Sequence, residues 1–408
     1  MAESQGTAIT VIPISQRLRY LIPFAPVSEV LSYLKSLYDD GVVAVCLADD
    51  GEKFGEWPHT YDHCYANGWL DEFFTALEEN TSWLKTVSLA TLCHTVPPVG
   101  PVYLPSTSYV EMTRWALPPE RQRRLRARRP PETDPSEEDD LLIGAAFRSF
   151  FQRYEESNYF HKRVQLVSSR TAEAEKVLGE KVHEIRRKLW QAQTNDSYWH
   201  GVFGGLYLPH LRRGVRRRLL EAETALDTAL GQLSGCEVSD WDFDGGAEVM
   251  LKNAEAVVVL KPREGLNVVE FSRRNPPSMI SDVIKRRPEA YHDLICDPSC
   301  QGVRTIHAGL GAKEGDLDKY LVYDRRPKRL FMERIFEGVV AEDDYRTETA
   351  RELLVRWGNA ALEGDGWFCR GVLEGPEGSL VFSKRVGWEG RGIGVGLEVG
   401  GSWSAPLI

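Results

Sequence analysis

The segment Val42–Trp57 reads VVAVCLADDGEKFGEW, and four acidic side chains, Asp49, Asp50, Glu52 and Glu56, follow directly on an apolar run. Carboxylates crowded together repel one another when ionised, which raises the pKa of one of them and makes it a proton donor near neutral pH. If the chain stays extended through the turn, Asp50 and Glu52 point to the same side, because side chains alternate with a period of two. Trp57, Tyr61 and Trp69 lie just downstream. Flat aromatic faces beside paired carboxylates suit the binding and cleavage of a sugar chain. The same Asp-Asp-Gly also suits an ordinary turn, with Asp as the cap and Gly at positive φ.

A second segment, NDSYWHGVFGGLYLP (Asn195–Pro209), sets Asp196, Tyr198, Trp199 and His200 beside Gly201, Gly204 and Gly205. Such glycines let a ligand or another backbone approach closely. The competing reading is a helix–helix turn with buried aromatics and Asp196 as a cap. Farther on, Asp240, Asp242 and Asp244 in DWDFDGGAE have the spacing of calcium ligands, with Gly245 at the turn and Glu248 nearby. A complete EF-hand loop would place its last Glu farther along, so an Asp-rich β-turn competes with a Ca2+ site. Cys296, Cys300 and His292 are too few and too irregular for a metal centre.

Elements must hold these groups in place. At 408 residues the chain exceeds the size at which one core keeps growing, so two or three domains are expected, and 42% apolar residues suffice to bury them. The formal charge of −10 argues against a nucleic-acid partner or an anionic membrane, both of which need a basic face. No run reaches about 18 apolar residues, so no membrane span is expected. The start, MAESQGTAIT, lacks the features of a secretory signal, and the seven scattered cysteines suit reduced thiols in a cytoplasm.

From Leu21 to Trp115 the pattern has βα grammar. PVSEVLSYLKSLYDD predicts a helix after Ser28, VVAVCLA a strand buried on both faces, and WLDEFFTALEEN a helix leading to WLKTVSLATL. RQRRLRARRPPETDPSEEDD reads as an exposed linker or insertion. Residues 141–233 are expected to be helical. TAEAEKVLGEKVHEIRRKLWQAQ keeps Val177, Leu178, Val182 and Ile185 on one stripe, and HLRRGVRRRLLEAETALDTALGQL is the second long candidate. Beyond Gly235, AEVMLKN, AVVVLKP, LNVVEFSR, RLFMERIF, SLVFSKRV and GIGVGLEVG predict short strands of a sandwich.

DDGEKFGEWPHTYDHCYANGWL and QAQTNDSYWHGVFGGLYLPHLRR resemble two signature regions of glycoside hydrolase family 57, above all its 4-α-glucanotransferase and α-amylase-like members. VYLPSTSYVEMTRWALP, RYEESNYFHKR, WDFDGGAEVMLKN and RRPEAYHDL extend the resemblance toward the C-terminal strands. It implies a multidomain α/β plus β fold: the C-terminal part of a (β/α)7 barrel over 1–117, a helical domain completing the active site over 118–235, and a C-terminal β-sandwich over 236–408. It implies a retaining double displacement on an α-1,4-glucan or maltooligosaccharide, with a Glu as nucleophile and an Asp as general acid/base. Asp50 matches the acid/base within a D-x-E-x-x-G-x-W pattern formed by Asp50, Glu52, Gly55 and Trp57. Glu52 and Trp57 match residues lining the sugar subsites, Asp196 and Trp199 the contribution of the helical domain, and His161 a position expected to hold that domain together.

Retaining chemistry needs two carboxyl groups about 5 Å apart on opposite sides of the scissile bond. Glu52, two residues from Asp50, approaches from the same side. In the family the nucleophile sits on an earlier strand, and none of Glu3, Glu29, Asp39, Asp40 and Asp49 matches it. The chain thus resembles the family without the first half of its barrel, as a gene fragment, a mispredicted start or a split gene would produce. A second chain supplying the missing strands, or a homo-oligomer, is then the expected partner. Open sheet edges and poor stability alone are expected too. No cofactor beyond the Ca2+ above is required. The alternative to an enzyme is a glucan-binding or structural remnant without turnover, and transferase and hydrolase are not separated by these residues.

Overall fold

Strands with no polar alternation need cover on both faces, and one sheet of this protein has it. The computed structural model describes residues 1–4, 6–128, 144–201, 204–296 and 316–407. The chain divides into two units, Met1–Ser106 and Thr107–Ile408.

In the second unit the helices Glu155–Leu178, Val182–Gln191 and Pro209–Leu230 pack through Phe160, Val164, Val167, Ile185, Leu189, Val215, Leu219 and Leu226. The stripe expected through Val177 and Val182 is broken. Gly179 takes φ 55° and ends the first helix, and Val177 is left 79% exposed. Against the helices lies a five-stranded antiparallel sheet containing Glu248–Lys252, Ala256–Lys261 and Asn267–Arg273. Met250, Val257 and Val259 face Tyr159, Leu220 and Trp241. Alternate residues, Val249, Leu251, Val258 and Leu260, share a core with Cys369 and Val386 of a second five-stranded sheet. The result is three layers: helices, sheet, sheet.

That second sheet is built mainly from Gly366–Gly375, Gly378–Glu389 and Gly392–Trp403. RLFMERIF does not form the strand expected of it: Leu330 makes one bridge to Val268, and only Ile335–Phe336 pairs, with Glu352–Leu353. The basic half of the expected linker is an exposed helix, Pro119–Arg128, while 129–143 lies outside the described residues.

Charge is buried between helices and sheet. Arg163 donates to Glu223 at 2.7 Å and to Glu270 at 3.2 Å, while Tyr159 Oη donates to Glu270 at 2.8 Å. One turn on, Asp227 accepts from Arg274 at 2.7 Å and Arg170 at 2.5 Å. Glu223 and Asp227 have no exposed surface, and such carboxylates are tolerated only when paired.

The first unit departs most from expectation. Helices Gln16–Leu21, Val27–Asp39 and Trp69–Glu79 pack around Leu18, Val30, Leu34 and Trp69, and Trp69 Nε1 donates to the Ala25 carbonyl at 2.8 Å. The expected buried strand over Val42–Ala48 is extended but unpaired except at Cys46, which makes one parallel bridge to Ile14. WLKTVSLATL is likewise no strand; its second half enters the helix Leu89–Thr95, capped by Ser88. The strands described in this unit are a short antiparallel hairpin, Ala2–Ser4 with Thr7–Ile9. The physical reason is that a parallel strand is stable only between neighbours brought by crossover connections, and Val42–Ala48 has none among the described residues.

Replacing Arg163 by Met strands Glu223 in the interior. Urea denaturation should show a loss of about 3–5 kcal/mol. Burial pushes Glu223 up, and Arg163, then Arg274 and Arg170, outweigh it and hold the carboxyl below its ordinary value. Its folded pKa is depressed, so its stabilisation is present above the unfolded pKa and disappears as pH falls through the folded one. In Arg163→Met the acid-side loss of stability should begin at higher pH.

Candidate functional site

Asp50 ends the extended segment at φ −68°, ψ 126°, and Gly51–Phe54 closes a 3-10 turn at once. The alternation expected to place Asp50 and Glu52 on one side therefore stops at Asp50. The Glu52 carbonyl accepts from the N–H groups of Glu56 and Trp57 at 2.9 and 3.0 Å, which fixes Trp57. Gly55 sits at φ 140°, where a Cβ would come 3.2 Å from the Tyr65 ring. Trp57 stacks on Phe24 with ring centres 6.2 Å apart.

Beneath the turn lies a lysine that sequence reasoning missed. Lys53 is 4% exposed and donates to the Asp49 carboxylate and, at 2.6 Å, to the Arg19 carbonyl. Its Nζ stands 5.5 Å from the ring centres of both Phe24 and Trp57. Arg19 Nε approaches Asp49 at 3.5 Å. Asp49 is thus a structural anchor, and the Asp49-x-x-x-Lys53 spacing was its one sequence signal. The Asp49 carboxylate also accepts the Asp50 N–H at 2.9 Å. The Asp50 side chain reaches solvent, and its carboxyl is held above its ordinary value: partial loss of water is the largest cause, then the charges of Asp49 and Glu52, opposed by Arg19 and Lys53. Such a group can carry a proton to a leaving oxygen. Glu52 is exposed beside it and Trp57 half-buried.

In the second unit Asp196 opens a 3-10 turn, Asn195–Tyr198, and is exposed. Trp199 is 9% exposed: its ring stacks on Trp115 at 5.5 Å and lies 5.7 Å from Phe150. Its Nε1–H finds no acceptor among the described residues. Gly205, at φ 52°, lets the Leu206 N–H reach the Trp199 carbonyl at 2.9 Å; a Cβ there would stand 2.1 Å from that oxygen. Val202 and Phe203 lie outside the described residues. The segment is held by Glu289, a second residue that sequence reasoning missed. Its buried carboxylate accepts from Tyr154 Oη and Tyr207 Oη at 2.8 Å each and pairs with Arg153. His161 stacks on Phe151 with centres 4.4 Å apart, a packing role.

Asp240, Asp242, Asp244 and Glu248 do come together, with oxygens within 4.8 Å of one another. Lys261 Nζ lies among them, 2.6 Å from Asp242, 2.5 Å from Asp244 and 3.2 Å from Glu248. The carboxylates also close the turn, accepting the Gly245 N–H at 3.0 Å and the Gly246 N–H at 2.8 Å. A divalent ion here would face a buried ammonium, so the cluster as arranged does not fit Ca2+. Cys300 lies outside the described residues.

Three family profiles match in order along the chain: "Glycosyl hydrolase family 57" over 1–105, and the middle and C-terminal domains of "Alpha-amylase/4-alpha-glucanotransferase" over 145–226 and 240–356. End to end, these matches make the chain similar to glycoside hydrolase family 57. Among its relatives, it is 36% identical to alpha-amylase 1 of Dictyoglomus thermophilum over 86% of this chain and 51% of that one. It is 38% identical to a 4-alpha-glucanotransferase of Thermococcus kodakarensis over 86% of this chain and 53% of that one. The crystal structure of 4-alpha-glucanotransferase from Thermococcus litoralis superposes with a TM-score of 0.79 at 30% identity, over 98% of this chain and 59% of that chain. The chain thus spans about half the length of the curated family members it matches.

Because Lys261 already supplies the countercharge at the Asp240–Glu248 cluster, the thermal midpoint should be the same in Ca2+ and in EGTA. Lys261→Met should lower it by leaving Glu248 and Asp242 unpaired, and calcium should then raise it again. Differential scanning calorimetry reads both.

Proposed function

We propose that this chain carries the acid/base half of a retaining α-1,4-glucan-active site, of the 4-α-glucanotransferase or α-amylase type. Asp50 protonates the departing glycosidic oxygen and later deprotonates the incoming acceptor. Glu52 and Trp57 line the sugar path beside it. On the helical part of the chain, Asp196 and Trp199 are the candidates for sugar contact. The nucleophilic carboxylate is supplied by residues other than these 408, and the chemistry calls for no cofactor. A cytoplasmic setting suits the reduced cysteines.

The observation that carries this reading is the Asp50 turn: a carboxyl with raised proton affinity, next to a fixed aromatic face, on a loop held from below by a buried lysine. A general acid must be protonated when it acts, and partial burial, then the charges of Asp49 and Glu52, extend that state to higher pH. Whether water or a sugar hydroxyl completes the reaction follows from the acceptor side, which lies beyond Asp50.

Incubation of the assembled enzyme with maltooligosaccharides should give disproportionation or glucose release. Asp50→Asn should cut turnover by about 10²- to 10⁴-fold while leaving glucan binding intact. The wild-type rate should fall as pH rises through the raised Asp50 pKa, and that limb should be missing in the variant. Binding without turnover in every preparation would favour a glucan-binding remnant instead.

A further inference from the structure

The stretches RYEESNYFHKR and WDFDGGAEVMLKN take no part in the Asp50 site, yet in the second unit they meet at a cavity of about 150 Å³. The first brings Glu155, Glu156, Asn158 and Tyr159 from the start of its helix, the second Asp242 and Asp244 from its turn. Phe151, Val269, Met279 and Val283 supply apolar wall. The space has room for several waters, or for one pyranose ring in their place. Charge around it is already matched. Lys261 stands between Asp242 and Asp244, Arg329 donates to Glu264 at 3.2 Å, Arg287 pairs with Glu156 at 2.7 Å and Arg216 with Asp282 at 2.5 Å. An ion of either sign would face its like with no free countercharge to hold it. What is missing is a hydrogen bond. Glu155 Oε1 is buried and accepts from no donor among the described residues, and the guanidinium groups of Arg287 and Arg329 stop 3.8 and 3.9 Å from it. Those cations supply charge without contact. Burial outweighs them and holds the Glu155 carboxyl above its ordinary value, and a buried carboxylate oxygen normally has a donor.

We propose that this cavity is a sugar-binding site of its own, which takes one uncharged glucosyl unit of an α-glucan through a hydroxyl donated to Glu155. A hydroxyl supplies the missing donor without bringing charge, and a pyranose sets hydroxyls at its rim and C–H groups on its faces, matching the polar and apolar parts of the lining. Calcium is the poorer occupant, because it needs six or more oxygen ligands and here Lys261, Arg216 and Arg329 stand among the carboxylates. A phosphate would meet Glu155, Glu156, Asp242, Asp244 and Glu264 in the same lining. The Asp244 and Lys328 side chains, 50% and 34% exposed, mark where the cavity opens to solvent, so a ring at the end of a longer chain can enter. That the ligand is an uncharged polyhydroxy ring stands on this lining alone; that the ring is a glucosyl unit rests on the function proposed above.

The test adds maltose to the purified 408-residue chain and follows amide hydrogen exchange. Residues 155–159 and 279–283 should exchange more slowly with maltose, in the wild type and equally in Asp50→Asn. Glu155→Met, which keeps the bulk and removes the acceptor, should weaken that binding about ten-fold or more. Val283→Trp fills the cavity from a position 51% exposed, so the melting midpoint should hold while the protection vanishes. Maltose that protects neither segment, protection that survives Val283→Trp, or stronger protection by Ca2+ or inorganic phosphate than by maltose overturns the proposal. Galactose protecting better than maltose upholds a sugar site and overturns its glucosyl assignment. Protection here without glucan turnover in any preparation upholds the cavity and overturns the assignment of Asp50, whereas turnover without protection here overturns the cavity alone.

Discussion

Two carboxylates without exposed surface, Glu223 and Asp227, set the terms for the second unit. They stand on one helix, and their countercharges come from elsewhere: Arg163 and Arg170 from a neighbouring helix, Arg274 from the end of a strand. Such pairs add little net stability over apolar residues of the same size, but separating them is costly. Helices and sheet are therefore bound to one arrangement. Apolar packing alone would tolerate a sliding of the helices over Met250, Val257 and Val259; the charges do not. The Trp199 segment connects two of these helices and inherits their fixed spacing.

The same device recurs at smaller scale. Glu289 gathers Tyr154, Tyr207 and Arg153 under the Trp199 segment, and Lys53 gathers Asp49 and the Arg19 carbonyl under the Asp50 turn. In each case a buried charge at the end of a polar network holds a loop that the backbone alone would leave loose. Aromatic rings then pack on the loop: Trp115 and Phe150 on Trp199, Phe24 on Trp57. Functional groups borne on loops need this kind of support.

The legible parts of the sequence were those whose pattern depends on local rules. AVVVLKP announced a strand because Ala256–Lys261 are all buried, on one face by helices and on the other by a second sheet. A turn at Asp-Asp-Gly was expected and is there, but not by the expected chemistry: the Asp50 side chain caps nothing, and the positive φ falls at Gly55 rather than Gly51. What escaped depends on partners distant in sequence. VVAVCLA has the same composition as AVVVLKP, yet it is exposed for want of neighbours. RLFMERIF looks like a strand and mostly is not, because the sheet order leaves it only a short stretch of pairing. Gly179 was visible inside its helical pattern, but only the left-handed φ shows that it stops the helix. Trp199 was identifiable as a site-like aromatic, whereas its burial against Trp115, far back in the chain, was not. Lys53 and Glu289 went unremarked: beyond the Asp49-x-x-x-Lys53 spacing, nothing local distinguishes a buried ion from a solvated one.

Lys53 serves two masters. Its ammonium holds Asp49 in place and, through space, also lowers the proton affinity of Asp50. Neutralising it would raise that affinity and would loosen the floor of the loop in doing so. Arg19 pulls on Asp50 in the same direction from a longer, looser contact with Asp49. Its charge is the safer dial: removing it strengthens the acid's hold on its proton while the lysine keeps the loop in shape.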